Sequence, residues 1–187
     1  MILGIDASNI RVGGGLIHLK EFISAVRVEN SQIKRVVVWS SEKTLNEIEE
    51  RPWLKKCSEP VMEKSYLHRS LWQYKKLSVK LVDEKCDILF VPGGVFTTKF
   101  RPVVTMSQNL IPFELKELFR YGISLLTLKF MLLRIFQSFS FKRANGTIFL
   151  TENAKKSVLK VTKSLDGENM VIPHGIQKKF FLTPRPQ

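Results

Sequence analysis

Short runs of β-branched and aliphatic residues alternate along this chain with longer stretches whose apolar positions recur every three or four residues. Residues 2–5 form the first run, and Leu16, Leu19, Phe22, Ile23 and Val26 then repeat at helical spacing over 16–28. The same alternation continues. Val36-Val37-Val38-Trp39 within 35–40 is a strand suited to burial on both faces, followed by a helix-prone stretch over 42–50 that stops at Pro52. Residues 57–61 read as a short strand. Residues 66–84, carrying Leu67, Leu71, Tyr74, Leu77, Leu81 and Val82, read as a helix long enough to cross a sheet.

The second half repeats the scheme. Strands are predicted at 87–91, closed by Pro92-Gly93-Gly94, and at 102–106, followed by a short helix over 115–119 and a long, very apolar one over 123–143. A strand over 146–150 leads to Thr151, placed to cap a helix running to Lys160, and a last strand at 170–172 ends at Pro173. Buried strands separated by helices predict a parallel sheet covered on both faces: a doubly wound, Rossmann-like α/β domain. No internal repeat is visible. Residues 178–186, Lys-Lys-Phe-Phe-Leu-Thr-Pro-Arg-Pro, contain no further strand–helix unit and read as an extended connection.

Composition narrows the picture. With 187 residues, 44% of them hydrophobic, the chain is sized for one domain with a sizeable core. The 30 Lys and Arg against 17 Asp and Glu give +13, a field that attracts phosphate-bearing partners and anionic surfaces. That charge is dispersed, at Lys75, Lys76 and Lys80, at Lys129 and Arg134, and at Lys155, Lys156 and Lys160, with no Arg-rich arm, which argues against nucleic acid as a partner. Cys57 and Cys86 lack a metal or redox spacing, and the N-terminus has no basic n-region or small-residue cleavage pattern. A reduced, cytoplasmic setting is therefore expected, in which the sequon Asn145-Gly146-Thr147 has no meaning.

Ligands of open α/β sheets bind beyond the carboxyl ends of the strands, so the loops there carry the candidate chemistry. Gly13, Gly14 and Gly15 open the first helix. Three residues without side chains let backbone N–H groups at a helix N-terminus meet a phosphate, although a merely flexible helix start accounts for them equally. A dinucleotide fingerprint fails, because Leu16, Ile17 and His18 follow with no glycine in register. Gln108 and Asn109 follow another strand; their amides suit sugar hydroxyls, or an ordinary loop cap. His18, His68 and His174 stand in unrelated sequence contexts, and no nucleophile–base order or carboxylate cluster for a metal is present. The segment 121–143 holds Lys129, Arg134, Lys142 and Arg143 among its apolar residues, which argues against a bilayer span. It predicts a core helix packed on the sheet; the alternative is a basic, apolar face resting on an anionic leaflet.

Several of these segments also line up in order. Gly13-Gly14-Gly15-Leu16-Ile17-His18-Leu19, Val91-Pro92-Gly93-Gly94, residues 104–112 (VTMSQNLIP), residues 144–152 (ANGTIFLTE) and residues 171–176 (VIPHGI) together resemble the N-terminal half of the group 1 (family 4) retaining glycosyltransferases, over nearly the whole chain. The resemblance implies an enzyme of two Rossmann domains, of GT-B type, working in the cleft between them. Residues 1–176 would be the acceptor-side domain and residues 177–187 the start of the interdomain linker, with the C-terminal donor-gripping domain absent. By the same analogy Gly13, Gly14 and Gly15 face the donor pyrophosphate, while Gln108, Asn109, Thr151 and Glu152 border the acceptor side of the cleft. Gln108 and Asn109 stand where many members carry His-Asp, so a proton-accepting role at Gln108 is excluded.

The family's paired glutamates belong to the second domain; Glu21/Glu29 and Glu42/Glu50 match only their bare spacing. The expected partners are a nucleotide-sugar donor, held with a second domain or chain, a glycan or lipid-linked acceptor, and an anionic membrane surface on which the protein is peripheral. No metal or other cofactor is called for. The rival expectation is a non-catalytic α/β module that binds an anionic glycan, a nucleotide or a partner chain.

Overall fold

The computed structural model describes residues 1–120, 122 and 124–175. The expected connection over 177–187 lies outside the described residues. Among the described residues seven strands form one sheet: β1 (Ile2–Asp6), β2 (Arg35–Trp39), β3 (Leu54–Cys57), β4 (Ile88–Val91), β5 (Val103–Ser107), β6 (Gly146–Phe149) and β7 (Glu168–Val171). Their order is β3-β2-β1-β4-β5-β6-β7, and every neighbouring pair is parallel. The chain winds outward from β1 to β3, returns to pair β4 with β1, and winds outward again. The fold is thus a doubly wound, Rossmann-like α/β sheet whose direction reverses between β1 and β4.

Strand alternation distributes the core between the two faces. Val36 and Val38 of β2 join Leu3, Ile5 and Phe90 beneath α1 (Gly14–Ala25), which buries Leu19 and Ile23, and beneath α2 (Glu42–Asn46). Val37 and Trp39 point the other way, to Trp72, Leu77, Leu81, Leu89 and Phe96. A third cluster joins Phe113, Phe141 and Phe149 to Ala154 and Val158 of α7 (Glu152–Thr162). Such two-sided burial is why the strands read as continuous apolar runs.

Several boundaries differ from the sequence expectation. The strand expected at 57–61 is Leu54–Cys57, because Lys55 and Lys56 pair along β2 while Pro60, which lacks an N–H, opens a 3₁₀ turn instead. The helix expected over 42–50 is only the five-residue α2, capped by Ser41. The helix expected over 66–84 is continuous, but it passes from α3 (Tyr66–Trp72) through a π-helical turn (Gln73–Leu77) into α4 (Ser78–Asp83). The short helix α5 (Leu115–Phe119) lies where the pattern puts it.

The largest difference concerns α6 (Leu125–Arg143). It is not a helix that buries its apolar side in the core. Its buried residues are Thr127, Gln137, Ser140 and Phe141, whereas Leu125, Leu128, Leu132, Ile135 and Phe139 are exposed. Two inward polar groups are held, the Ser140 hydroxyl against the Phe96 backbone and Arg143, which donates to the Thr98 carbonyl at 3.0 Å, whereas Gln137 Oε1 and Ser138 Oγ are buried without a hydrogen-bond partner among the described residues. Gln137 fills the space left by Gly94, whose φ of 77° and lack of a side chain allow the close approach. Among the described residues no helix is long and apolar enough to cross a membrane.

Candidate functional site

The first strand ends on a carboxylate. Asp6 is buried; its Oδ1 accepts the Ser8 backbone N–H at 3.0 Å and its Oδ2 accepts the Gln73 Nε2 amide at 2.6 Å. Gln73 opens the π-helical turn and is itself buried, its Nε2 also 3.1 Å from the Ser8 hydroxyl, while Thr97 Oγ1 donates to Gln73 Oε1 at 3.3 Å. Burial pushes the Asp6 carboxyl above the usual carboxylate range, and the hydrogen bonds from Ser8 and Gln73 and the charge of Arg69 hold it back. Arg69 ties the loop down, donating from Nε to Asn9 Oδ1 at 3.0 Å. The β1 loop, the helical return to β4 and the loop after β4 therefore meet at the reversal point.

The glycine loop lies on the same rim. Gly13 adopts φ 72° and ψ −153°, a region nearly closed to side-chain-bearing residues, and its carbonyl accepts from the N–H groups of Leu16 and Ile17. Among the described residues no side chain caps this end of α1, and no acidic residue stands in its first turn. A Cβ on Gly13 or Gly14 would meet no atom of the described residues within 4 Å, and both glycines are exposed. A Cβ on Gly15 would stand 3.6 Å from Gln108 Oε1, which brings the loop after β1 against the loop after β5.

Gln108 continues the rim. Its Nε2 lies 3.4 Å from His18 Nδ1, and the His18 ring is 4.8 Å, centroid to centroid and edge to face, from that of His174 beyond β7. Burial and the charge of His174 lower the pKa of His18, favouring its neutral ring. The two histidines, which stand in unrelated sequence contexts, are neighbours because His18 sits one turn into α1 and His174 follows the last strand. Asn109 is spent locally: its Oδ1 accepts the Ile111 N–H at 3.1 Å and shapes the turn that follows. Thr151 caps α7 by accepting the Ala154 N–H at 3.0 Å, and Glu152 stands exposed in the first turn. Among the described residues no hydrogen bond joins Thr151 or Glu152 to the glycine loop or Gln108.

The arrangement suits binding through neutral donors. An uncapped helix end with bare backbone amides favours an anionic group, and the Gln108 amide beside it can serve hydroxyls. Arg11 and Arg69 border the β1 loop; burial and then the charge of Arg11 lower the pKa of Arg69, and Arg11 reaches Glu63 at 3.5 Å. Among the described residues no group of three His, Cys, Asp or Glu side chains is placed to hold a metal ion. Asp6, Arg69, Gln73, His18 and His174 were missed by the sequence reading. The rule that ligands sit beyond strand ends already pointed to Asp6 and His174; nothing local marked Gln73, which lies mid-helix. No protein-family model matches this chain, and no curated protein matches it.

Proposed function

We propose that this chain is the acceptor-side domain of a retaining glycosyltransferase, which moves a sugar from a nucleotide-sugar donor to a glycan or lipid-linked acceptor once a second domain or chain supplies the donor grip. The observation that carries this reading is the 3.6 Å approach between the Gly15 Cβ position and Gln108 Oε1, which sets an open helix N-terminus beside a hydrogen-bonding amide at one sheet rim. The ordered segments that resemble such enzymes support it, as does the doubly wound sheet. In the transfer, the bond between the anomeric carbon and the diphosphate oxygen breaks, and the acceptor oxygen bonds to that carbon on the same face. The acceptor's proton passes to the departing diphosphate, whose charge the Gly13–Gly15 amides stabilise. Gln108 orients a hydroxyl without exchanging a proton.

The test uses the ¹⁵N-labelled chain titrated with UDP, GDP and ADP. Shifts that concentrate on Gly14, Gly15 and Gln108 for one nucleotide are expected; a spectrum unchanged at millimolar ligand removes the proposal. A non-catalytic binding module is the second reading, supported by the open, uncapped start of α1, which would bind an anionic group whether or not transfer follows. It predicts the same shifts with no sugar transfer when a donor-binding domain is supplied in trans.

A further inference from the structure

α6 is turned inside out relative to its composition. At roughly 100° per residue, Leu125, Leu128, Leu132, Ile135 and Phe139 fall on one continuous stripe opposite the buried Thr127, Gln137 and Phe141. These are not marginal exposures: Leu125 is 87% exposed, Ile135 61% and Phe139 58%, while Phe141 on the same helix is fully buried. Met131 and Phe136 widen the stripe to an arc of about 140°, broader than the two-position seam of a coiled coil. Leu115 and Phe119 of α5 extend it past an apolar groove that Phe119, Leu125, Leu128 and Met131 line. An exposed apolar surface this continuous marks a docking face.

Charge identifies the occupant. Residues 125–143 contain no Asp or Glu, and Lys129 and Lys142 stand exposed beside the stripe with no carboxylate partner among the described residues. Arg134 and Arg143 are engaged by the fold, through the Pro112 and Thr98 carbonyls. Two copies pairing through α6 would set lysine against lysine, and the carboxylate that α5 carries, Glu117, is already paired with Arg120 at 2.9 Å. An anionic leaflet instead meets both features, accepting the apolar side chains at the acyl boundary while the lysine stems extend to the headgroups.

We propose that the exposed face of α6, with α5 beside it, lies flat on an anionic phospholipid surface and holds the protein there without crossing the bilayer. This inference does not rest on the glycosyltransferase reading, and it survives if that reading fails. The experiment sediments the 187-residue chain with vesicles of phosphatidylcholine alone, or with about 30% phosphatidylglycerol, at low and high salt. Binding to the anionic vesicles that weakens with salt is expected. The double variant Ile135→Glu/Phe139→Glu is expected to lose it with an unchanged circular dichroism spectrum. Lys129→Glu/Lys142→Glu is expected to weaken it by about tenfold or more, and Lys43→Glu on α2 to leave it unchanged. Absent binding, or equal binding to neutral vesicles, overturns the proposal. So does a dimer in sedimentation equilibrium that Ile135→Glu/Phe139→Glu dissociates while vesicles go unbound, which would assign the face to a second copy.

Discussion

Gln73 Nε2 donates to Asp6 Oδ2 at 2.6 Å, linking the end of the first strand to a π-helical turn 67 residues later. The bond explains how a carboxyl group is kept in the middle of the sheet's reversal point. It also makes Asp6 a tie between the β1 loop and the helix that returns to β4.

Replacing Asp6 by Ala leaves the Gln73 amide and the Ser8 N–H without their acceptor, and an expected loss of about 1–3 kcal/mol follows. Because burial raises the folded pKa of Asp6 above its ordinary 3.8, its favourable contribution is full below 3.8 and declines as pH rises through the folded value. Asp6→Asn removes that decline. Urea unfolding at several pH values between 4 and 7 should show Asp6→Asn gaining on the native chain as pH rises.

His18 has the opposite sign. Its folded pKa lies below 6.5, so the unfolded chain takes up the proton first, and stability is full above 6.5 and falls as pH drops below it. The His18 ring protons should titrate with a midpoint below 6.5 by NMR, and His18→Gln should flatten the acid-side fall in stability.

Gly13→Ala should cost about 1–3 kcal/mol, since φ 72° with ψ −153° admits little but glycine. Gly14→Ala should cost nothing or stabilise slightly, because a Cβ there meets open space and the position is helical. Thermal unfolding of the pair separates backbone conformation from crowding.

The inverted packing of α6 predicts an inverted mutational profile. Phe141→Ala should cost about 3–5 kcal/mol as a core cavity forms, while Ile135→Ala should stay within about 0.5 kcal/mol despite removing a large aliphatic side chain. Denaturant midpoints measure both.

Thr151 has a structural duty that is open to test. Thr151→Ala should lower stability by about 1 kcal/mol through loss of the bond to the Ala154 N–H, and Thr151→Ser should restore most of it. A thermal melt of the three proteins checks this.

Much of the architecture is legible along the chain because two-sided burial writes itself into strands such as Val36-Val37-Val38-Trp39 and leaves polar loops between them. The cap at Thr151 was equally plain, being a local bond across three residues. Strand limits near Pro60 were not, since Lys55 and Lys56 join β3 through backbone pairing with β2, whatever their side chains prefer. The candidate site divides the same way. Gly13–Gly15 and Gln108 stand out locally, whereas Asp6 with Gln73 and His18 with His174 become partners only when distant strand ends share a rim.

Sequence alone determined the alternation of strand and helix, the parallel class of the sheet and the positive charge, because each follows from residue types within a few positions of one another. Tertiary structure alone decided which side of α6 meets the core. That helix is apolar around most of its circumference, so periodicity does not choose a face. The choice fell to Gln137, Ser140 and Phe141, which find Gly94, the Phe96 backbone and Phe149 waiting on the sheet side and leave the larger hydrophobic stripe outside.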